Sequence, residues 1–146
     1  MIFLCIFSTL ILGDNMAYVK YKELTKYFNF NKELDVTDLP NYVTDYLNEG
    51  EVIYKAYKTT RDKGIFTNSR MILFDVNPLT NSKKIHIIPY KSISSGAILF
   101  KFSSGAILLS FDSGYQLKLN FIRMSSTDKT HLRNLFSYIM EKVDHM

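Results

Sequence analysis

Cysteine, histidine and tryptophan are scarce or missing in this chain: its 146 residues include one cysteine, three histidines and no tryptophan. The single cysteine, Cys5, excludes an intrachain disulfide and a metal site made of cysteines, and it agrees with a reducing compartment. His86, His131 and His145 lack the close spacing of histidine pairs that bind zinc from one helix. We therefore expect no metal and no cofactor.

The motifs of common enzymes are also missing. The sequence has no glycine-rich phosphate-binding loop, and no serine lies in the glycine-flanked pattern of a nucleophile elbow. Ser-Ser-Gly-Ala-Ile-Leu occurs twice, at residues 94–99 and 103–108, and we interpret both copies as strand entrances that share a turn. The prediction is a protein without enzymatic activity.

No apolar run is long enough to cross a bilayer, which needs about 20 residues. Residues 1–12 are nearly all apolar and are followed by the polar residues 13–15. The run lacks the basic residues and the small cleavage-site residues of a signal peptide. Three interpretations stay open for residues 1–15. Translation starts at Met16, or the segment packs on the domain as a strand or helix, or it is a weak membrane anchor.

Charge of one sign is not in large excess, since 18 basic and 14 acidic residues give a net charge of +4. This balance permits a polyanionic partner without requiring one. Aromatic and basic residues alternate in residues 18–27 and 54–58. Stacking on nucleic-acid bases needs exposed rings, however, and most of these tyrosines fit buried stripes. Nucleic acid is therefore not an expected partner.

Residues 16–49 are expected to form a helical brace that packs on the main domain. Aromatic residues and leucine recur at helical spacing over residues 18–30, which predicts a first short helix. A second helix is predicted over residues 39–48. Pro40 suits its first turn, and Gly50 stops it.

From Glu51 onward the apolar residues recur mostly at every second position, which is the period of a strand. Turns rich in glycine, serine, asparagine and aspartate separate the segments, and short strands with such turns are typical of a sandwich or barrel. The seven predicted strands cover residues 52–57, 65–67, 70–75, 83–90, 97–102, 106–111 and 116–121.

The period becomes helical again over residues 126–143. Ser126 or Thr127 can cap this helix, and Asp128 suits its first turn. One face carries the apolar residues Leu132, Leu135, Phe136, Ile139, Met140 and Val143. Antiparallel strands followed by one amphipathic helix indicate an α+β layout in which the helix plugs the open end of a barrel.

Three short motifs follow one another along the chain. They are Asn48-Glu49-Gly50-Glu51-Val52-Ile53, then, after Arg61-Asp62, Phe66-Thr67-Asn68-Ser69-Arg70-Met71-Ile72-Leu73-Phe74-Asp75, and then Ile88-Pro89-Tyr90-Lys91-Ser92-Ile93. Their order and spacing over about residues 47–143 resemble the short bacterial PH-domain (pleckstrin-homology-like) family. The resemblance implies a non-enzymatic PH-like domain over residues 50–146. Its fold would be a seven-stranded, partly open antiparallel barrel capped by the C-terminal helix, with the two short helices before it.

Five basic residues lie on the first strands of this predicted barrel and the turns between them: Lys55, Lys58, Arg61, Lys63 and Arg70. Lys55, Lys58 and Arg61 loosely resemble the Lys-x-Arg arrangement with which eukaryotic PH domains hold inositol phosphates. The resemblance implies an anion or lipid headgroup site made of the five residues. A solvated basic edge is the simpler interpretation. Arg70 is expected to pair with Asp62 or Asp75 on a neighbouring strand.

Two functions are compatible with this reading. The first is a cytoplasmic module that binds a protein partner, or a second copy of itself, through an exposed strand edge. The second is a peripheral module on the inner face of the membrane, which binds an anionic surface through the basic barrel mouth.

Overall fold

The computed structural model describes residues 25–145 of the chain. The apolar residues 1–12, Cys5 and the first seven residues of the helix predicted over 18–30 lie outside the described residues. The expectations for residues 1–15 therefore stay predictions.

Within residues 25–145 there are nine strands and two α-helices. The strands are β1 Thr25–Phe30, β2 Lys32–Leu34, β3 Ile53–Lys58, β4 Asp62–Thr67, β5 Arg70–Asn77, β6 Ser82–Pro89, β7 Ile93–Phe100, β8 Gly105–Phe111 and β9 Gln116–Phe121. The helices are α1 Asn41–Thr44 and α2 Ser126–Asp144, and single 3₁₀ turns cover Val36–Asp38 and Tyr90–Ser92. The strands β3 to β9 and the helix α2 confirm the seven strands and the C-terminal helix that the sequence predicts.

The strands form two sheets that do not close into one barrel. The five-stranded sheet has the order β2-β3-β4-β5-β6, and the four-stranded sheet has the order β1-β9-β8-β7. Neighbours are antiparallel except β1 and β9, which pair in parallel from Thr25 opposite Gln116 to Phe30 opposite Phe121. The partly open architecture therefore agrees with the predicted one, and β1 and β2 extend it by one strand per sheet.

The main core lies between the two sheets and α2. Three rings contact one another in it, with centroid distances of 5.4 Å from Phe30 to Phe121 and 4.9 Å from Tyr57 to Phe121. Gly64 of β4 faces Phe30 so closely that a Cβ atom there would lie 2.7 Å from the ring. This glycine makes room for the ring that β1 contributes to the core.

A second, smaller core covers the outer face of the five-stranded sheet. Its fully buried members from the sheet are Ala56, Ile65, Ile72 and Phe74, and α1 contributes Val43. Leu34, Leu39 and Leu47, which precede β3 in the chain, pack against the same cluster. The segment from β2 to the residues after α1 thus shields one face of this sheet from water.

The first predicted helix is a strand where the structure describes it. β1 alternates the buried Phe28 and Phe30 with the outward-facing Tyr27 and Asn29, as a strand with one covered face must. The helix prediction over these residues is wrong because their aromatic residues fit a helical stripe and a strand equally well. Pairing with β9 decides between them.

Smaller differences affect three other elements. β7 is Ile93–Phe100, so it begins four residues and ends two residues before the predicted 97–102. The second predicted helix, over 39–48, is reduced to the four-residue α1, and the 3₁₀ turn Val36–Asp38 lies before it. β4 is longer than the predicted 65–67, because the turn before it ends at Arg61 and residues from Asp62 onward already pair with β3 or β5.

The N-cap of α2 lies one residue before the first of the two predicted caps. Ser125 is the N-cap, where its hydroxyl accepts from the backbone N–H of Asp128, while the Asp128 carboxylate accepts from the backbone N–H of Ser125. Such a capping box stabilises a helix by about 1 kcal/mol. Leu132, Leu135 and Ile139 are buried on the predicted face. No described helix is both long and apolar enough to cross a membrane.

Candidate functional site

The five basic residues of the predicted anion site differ in whether a carboxylate already pairs with them. Two of them are occupied by carboxylates on neighbouring strands: Lys55 Nζ lies 3.1 Å from Glu33 Oε2, and Arg61 Nη2 lies 3.0 Å from Asp75 Oδ1. A cation that is already paired and partly desolvated has less charge to offer a ligand. Lys55 and Arg61 are thus less available than the sequence suggests.

Arg70 is also occupied, and by a partner that differs from the predicted one. Its Nε and Nη2 atoms each lie 2.9 Å from a carboxylate oxygen of Glu51, which gives a two-pronged ion pair. The prediction that Arg70 pairs with Asp62 or Asp75 is therefore wrong. Because β3 and β4 are antiparallel, the start of β3 lies opposite the end of β4. Glu51, just before β3, therefore lies near the turn between β4 and β5, and Arg70 is the first residue of β5.

The three sequence motifs meet at this turn. Thr67 and Ser69 donate their hydroxyl hydrogen bonds to Glu51, and the buried Tyr90 donates its hydroxyl to the carbonyl oxygen of Thr67 over 2.8 Å. Burial alone would raise the pKa of the Glu51 carboxyl, but hydrogen bonds from Arg70, Asn48 and Thr67 outweigh it and hold the pKa at about 2. The motifs that carry the resemblance thus build a structural anchor.

A second charged cluster involves a residue that sequence reasoning missed. Lys26 of β1 lies 2.7 Å from Asp75, and this hydrogen bond is the main cause that lowers the pKa of the Asp75 carboxyl. Asp62, opposite Asp75 on β4, is buried and accepts from the backbone N–H of Asn29 over 2.9 Å. Burial raises the pKa of the Asp62 carboxyl. The cluster fastens β1 across the ends of β4 and β5.

Lys58 and Lys63 are the two predicted site residues that the structure brings together. They are direct neighbours across β3 and β4, and Lys32 of β2 lies opposite Lys58 on its other side. Lys63 Nζ donates to the hydroxyl of Tyr42 over 2.6 Å, and Lys83 Nζ lies 4.5 Å from the centre of the same ring. Lys32 and Lys58 form no ion pair among the described residues. Anion binding by Lys58 and Lys63 stays a prediction.

The histidines show no grouping with other ligand types. His131 Nδ1 lies 2.8 Å from Glu33, whereas His86 packs its ring edge-on against Phe28. The His86 side chain is half-buried. Its Nε2 has no hydrogen-bond partner in the described part of the chain, and burial lowers its pKa. Across residues 25–145, no three His, Cys, Asp or Glu side chains lie together as a metal site requires.

Among the strands of residues 25–145, β7 is an open edge of the four-stranded sheet, since only β8 pairs with it there. Its eight residues include no charge and no proline, and Ser94, Ser95, Ala97, Leu99 and Phe100 are exposed. The other described edges differ. β1 and β2 carry charged residues, while β6 carries Lys83, Lys84 and Pro89. Natural edges usually contain such residues because they prevent pairing with another chain.

Comparison with known proteins gives a family match over most of the chain. The model of the family described as "Bacterial PH domain" matches residues 23–141. Two proteins of Bacillus subtilis (strain 168) match shorter segments. "Uncharacterized protein YozO" is 47% identical over 53 residues, which are 36% of this chain and 46% of that protein. "Uncharacterized protein YjqA" is 47% identical over 49 residues, which are 33% of this chain and 39% of that protein. The chain thus spans less than half the length of these relatives.

Two crystal structures share the fold at low sequence identity. A DUF1696 family protein with a pleckstrin-homology domain from Shewanella loihica PV-4 superposes with a TM-score of 0.62 at 23% identity, over 78% of this chain and 98% of that one. A PH-domain-containing protein from Exiguobacterium sibiricum 255-15 gives a TM-score of 0.61 at 17% identity, over 77% of this chain and 61% of that one. At these identities the likeness establishes the fold alone.

Proposed function

Because the chain belongs to the bacterial PH domain family, we propose that it is a non-enzymatic interaction module that binds a protein strand along β7. The preferred partner is a second copy of the chain. The module acts in the cytoplasm, where it joins protein chains and does not catalyse a reaction. PH folds host many functions, so the argument rests on the strand itself and not on the family.

The observation that carries the proposal is the unprotected edge of β7. An eight-residue strand without charge or proline presents a row of backbone N–H and C=O groups to a new strand. Main-chain hydrogen bonds give affinity in such an addition, and alternate side chains give specificity. Two β7 strands that pair about a two-fold axis would join two four-stranded sheets into one continuous sheet.

A lysine in the middle of β7 is expected to prevent this pairing. We expect the full chain to form a dimer and Ala97→Lys to raise the dimer dissociation constant at least about tenfold, since like charges oppose each other across a shared edge. Size-exclusion chromatography with light scattering over a concentration series measures it.

The matched control is Ser82→Lys, which places the same charge at an exposed position of the β6 edge. It should leave the dimer unchanged. A chain that stays monomeric at every concentration, or an Ala97→Lys variant that dimerises like the unmodified chain, contradicts the proposal.

Binding of an anionic headgroup is the second candidate function, and the row of Lys32, Lys58 and Lys63 favours it. Three lysines on adjacent strands, two of them without an ion pair among the described residues, raise the local concentration of phosphate groups. If this row binds lipid, Lys58→Gln with Lys63→Gln should weaken sedimentation with phosphatidylglycerol vesicles at low salt. Lys91→Gln, an exposed lysine in the 3₁₀ turn after β6, is the control. Equal sedimentation of the two variants would argue against the row.

A further inference from the structure

Phe102 stands in water at the tip of the β7–β8 hairpin. Its side chain is 97% exposed, more than any other large apolar side chain in the described part of the chain. Burying a phenylalanine is among the larger favourable contributions that one side chain makes to folding or binding. A ring left fully outside the core is therefore available to a partner.

The tip is held firmly, so Phe102 is presented in a defined position. Lys101 N–H donates to the carbonyl of Ser104 over 2.8 Å, and Met124 N–H donates to the carbonyl of Ser103 over 2.9 Å. The ammonium group of Lys129, from the first turns of α2, donates to the carbonyls of Lys101 and Phe102 over 2.7 and 2.6 Å. Four hydrogen bonds thus hold the tip, three of them from the segment after β9.

The surroundings of the tip are apolar and basic. One shallow depression beside it is lined by Leu99, Ile122, Lys101 and Lys118, and no carboxylate of residues 25–145 lines that depression. Arg123 follows Ile122 and is exposed, with a left-handed backbone at φ 57° that few non-glycine residues adopt. This arrangement, an apolar protrusion with basic residues around it, is complementary to a surface that has negative charges on the outside and apolar groups beneath them.

We propose that this end of the four-stranded sheet docks on an anionic lipid surface. Phe102 enters the boundary between headgroups and acyl chains, while Lys101, Lys118 and Arg123 face lipid phosphates. Lysine side chains suit this position because their stems lie along apolar surface and their ammonium groups reach the headgroups. The proposed contacts use Phe102, Lys101, Lys118 and Arg123, and not the backbone groups of β7 or the side chains of Lys58 and Lys63, so the inference goes beyond the functions proposed above.

The absence of tryptophan allows a direct test. Phe102→Trp in the full chain places the only indole at the tip. Vesicles of equal parts phosphatidylcholine and phosphatidylglycerol should shift its emission to shorter wavelength as the ring leaves water. Vesicles of phosphatidylcholine alone should shift it little, and added salt should reverse most of the shift, because screening weakens attraction between exposed charges.

Val52→Trp is the matched control. Val52 is also an exposed apolar residue, at 63%, but it follows Glu49 and Glu51 and lies just before β3. The emission of this variant should not change with vesicles. In the same assay Phe102→Ala should lower binding to the mixed vesicles about tenfold, which is the contribution of one buried ring, and Val52→Ala should leave it unchanged.

Three results would overturn the proposal. The Phe102→Trp variant could show no shift with anionic vesicles, or the Val52→Trp variant could shift equally. The emission of the Phe102→Trp variant could also already be shifted before vesicles are added, which would mean that a second copy or the chain's own apolar residues 1–12 cover the tip.

Discussion

Replacing Glu51 with glutamine is expected to lower the free energy of unfolding by about 3 kcal/mol. The Glu51 side chain is 2% exposed and Arg70 is its ion-pair partner. Removing one member of a buried pair leaves the other charge without compensation, which typically costs about 3–5 kcal/mol. A pKa of about 2 against an ordinary value of 4.5 gives a similar figure, since each pKa unit corresponds to about 1.4 kcal/mol. Urea unfolding at neutral pH measures the loss.

The same substitution should change how stability depends on pH. Because the folded-state pKa of Glu51 is lowered, its stabilisation is full above about pH 4.5 and is lost as the pH falls towards 2. Glu51→Gln should therefore flatten this acid limb, whereas Glu49→Gln, at an exposed neighbour, should preserve it. If both variants unfold alike, the anchor of Glu51 and Arg70 does not stabilise the domain.

Replacing Phe30 with alanine is expected to have an even larger effect, about 4 kcal/mol. Phe30 is 1% exposed and contacts the rings of Tyr57 and Phe121 in the main core. Loss of a buried phenylalanine removes its transfer free energy and leaves a cavity, which together cost about 3–5 kcal/mol. That is a large fraction of the roughly 5–15 kcal/mol that stabilises a domain. Thermal unfolding should show the loss as a much lower Tm.

Tyr27→Ala is the control for this prediction. Tyr27 lies on the same strand but faces outward and is 57% exposed, so its loss should change stability by no more than about 0.5 kcal/mol. If β1 were a helix or were detached from β9, the two variants would not differ in this way. Similar losses in both variants would contradict the position of β1 in the structure.

The sequence predicts the architecture from Glu51 onward because local patterns dominate there. In β8 and β9, buried residues such as Ile107, Leu109, Leu117 and Leu119 occupy every second position, as expected for strands with one covered face. The helix α2 likewise follows one stripe of buried residues. Alternation is least informative at the limits of β4 and β7, because strand limits depend on partners.

The sequence could not predict β1 because its partner is remote. Asn29 of β1 and Asn120 of β9 are 91 positions apart, yet their side chains form a hydrogen bond of 3.0 Å. Local spacing favours a helix over these residues, and only the pairing with β9 overrides it. Lys26 lies beside Asp75 only because β1 is a strand at this position, so the sequence could not predict this ion pair either.

The basic residues illustrate a different difficulty. A sequence shows that Lys55, Arg61 and Arg70 are close along the chain, but it does not show which carboxylates the fold brings to them. Glu51 and Arg70 both lie within the three motifs. That the two residues belong to motifs that occur together is the signal in the sequence for their ion pair. That signal is easily missed, because the strand neighbours of Arg70 are the obvious partners and Glu51 precedes the strand β3.

The parallel pairing of β1 with β9 has a consequence for protein synthesis. The ribosome releases β1 early and β9 last among the strands, so the first described strand has no partner until almost the whole domain has been made. Contacts between such distant segments also slow folding, because a long loop must close first. During translation β3 to β6 can already fold as a meander, whereas the aromatic side chains of β1 stay exposed to solvent until β9 has been synthesised.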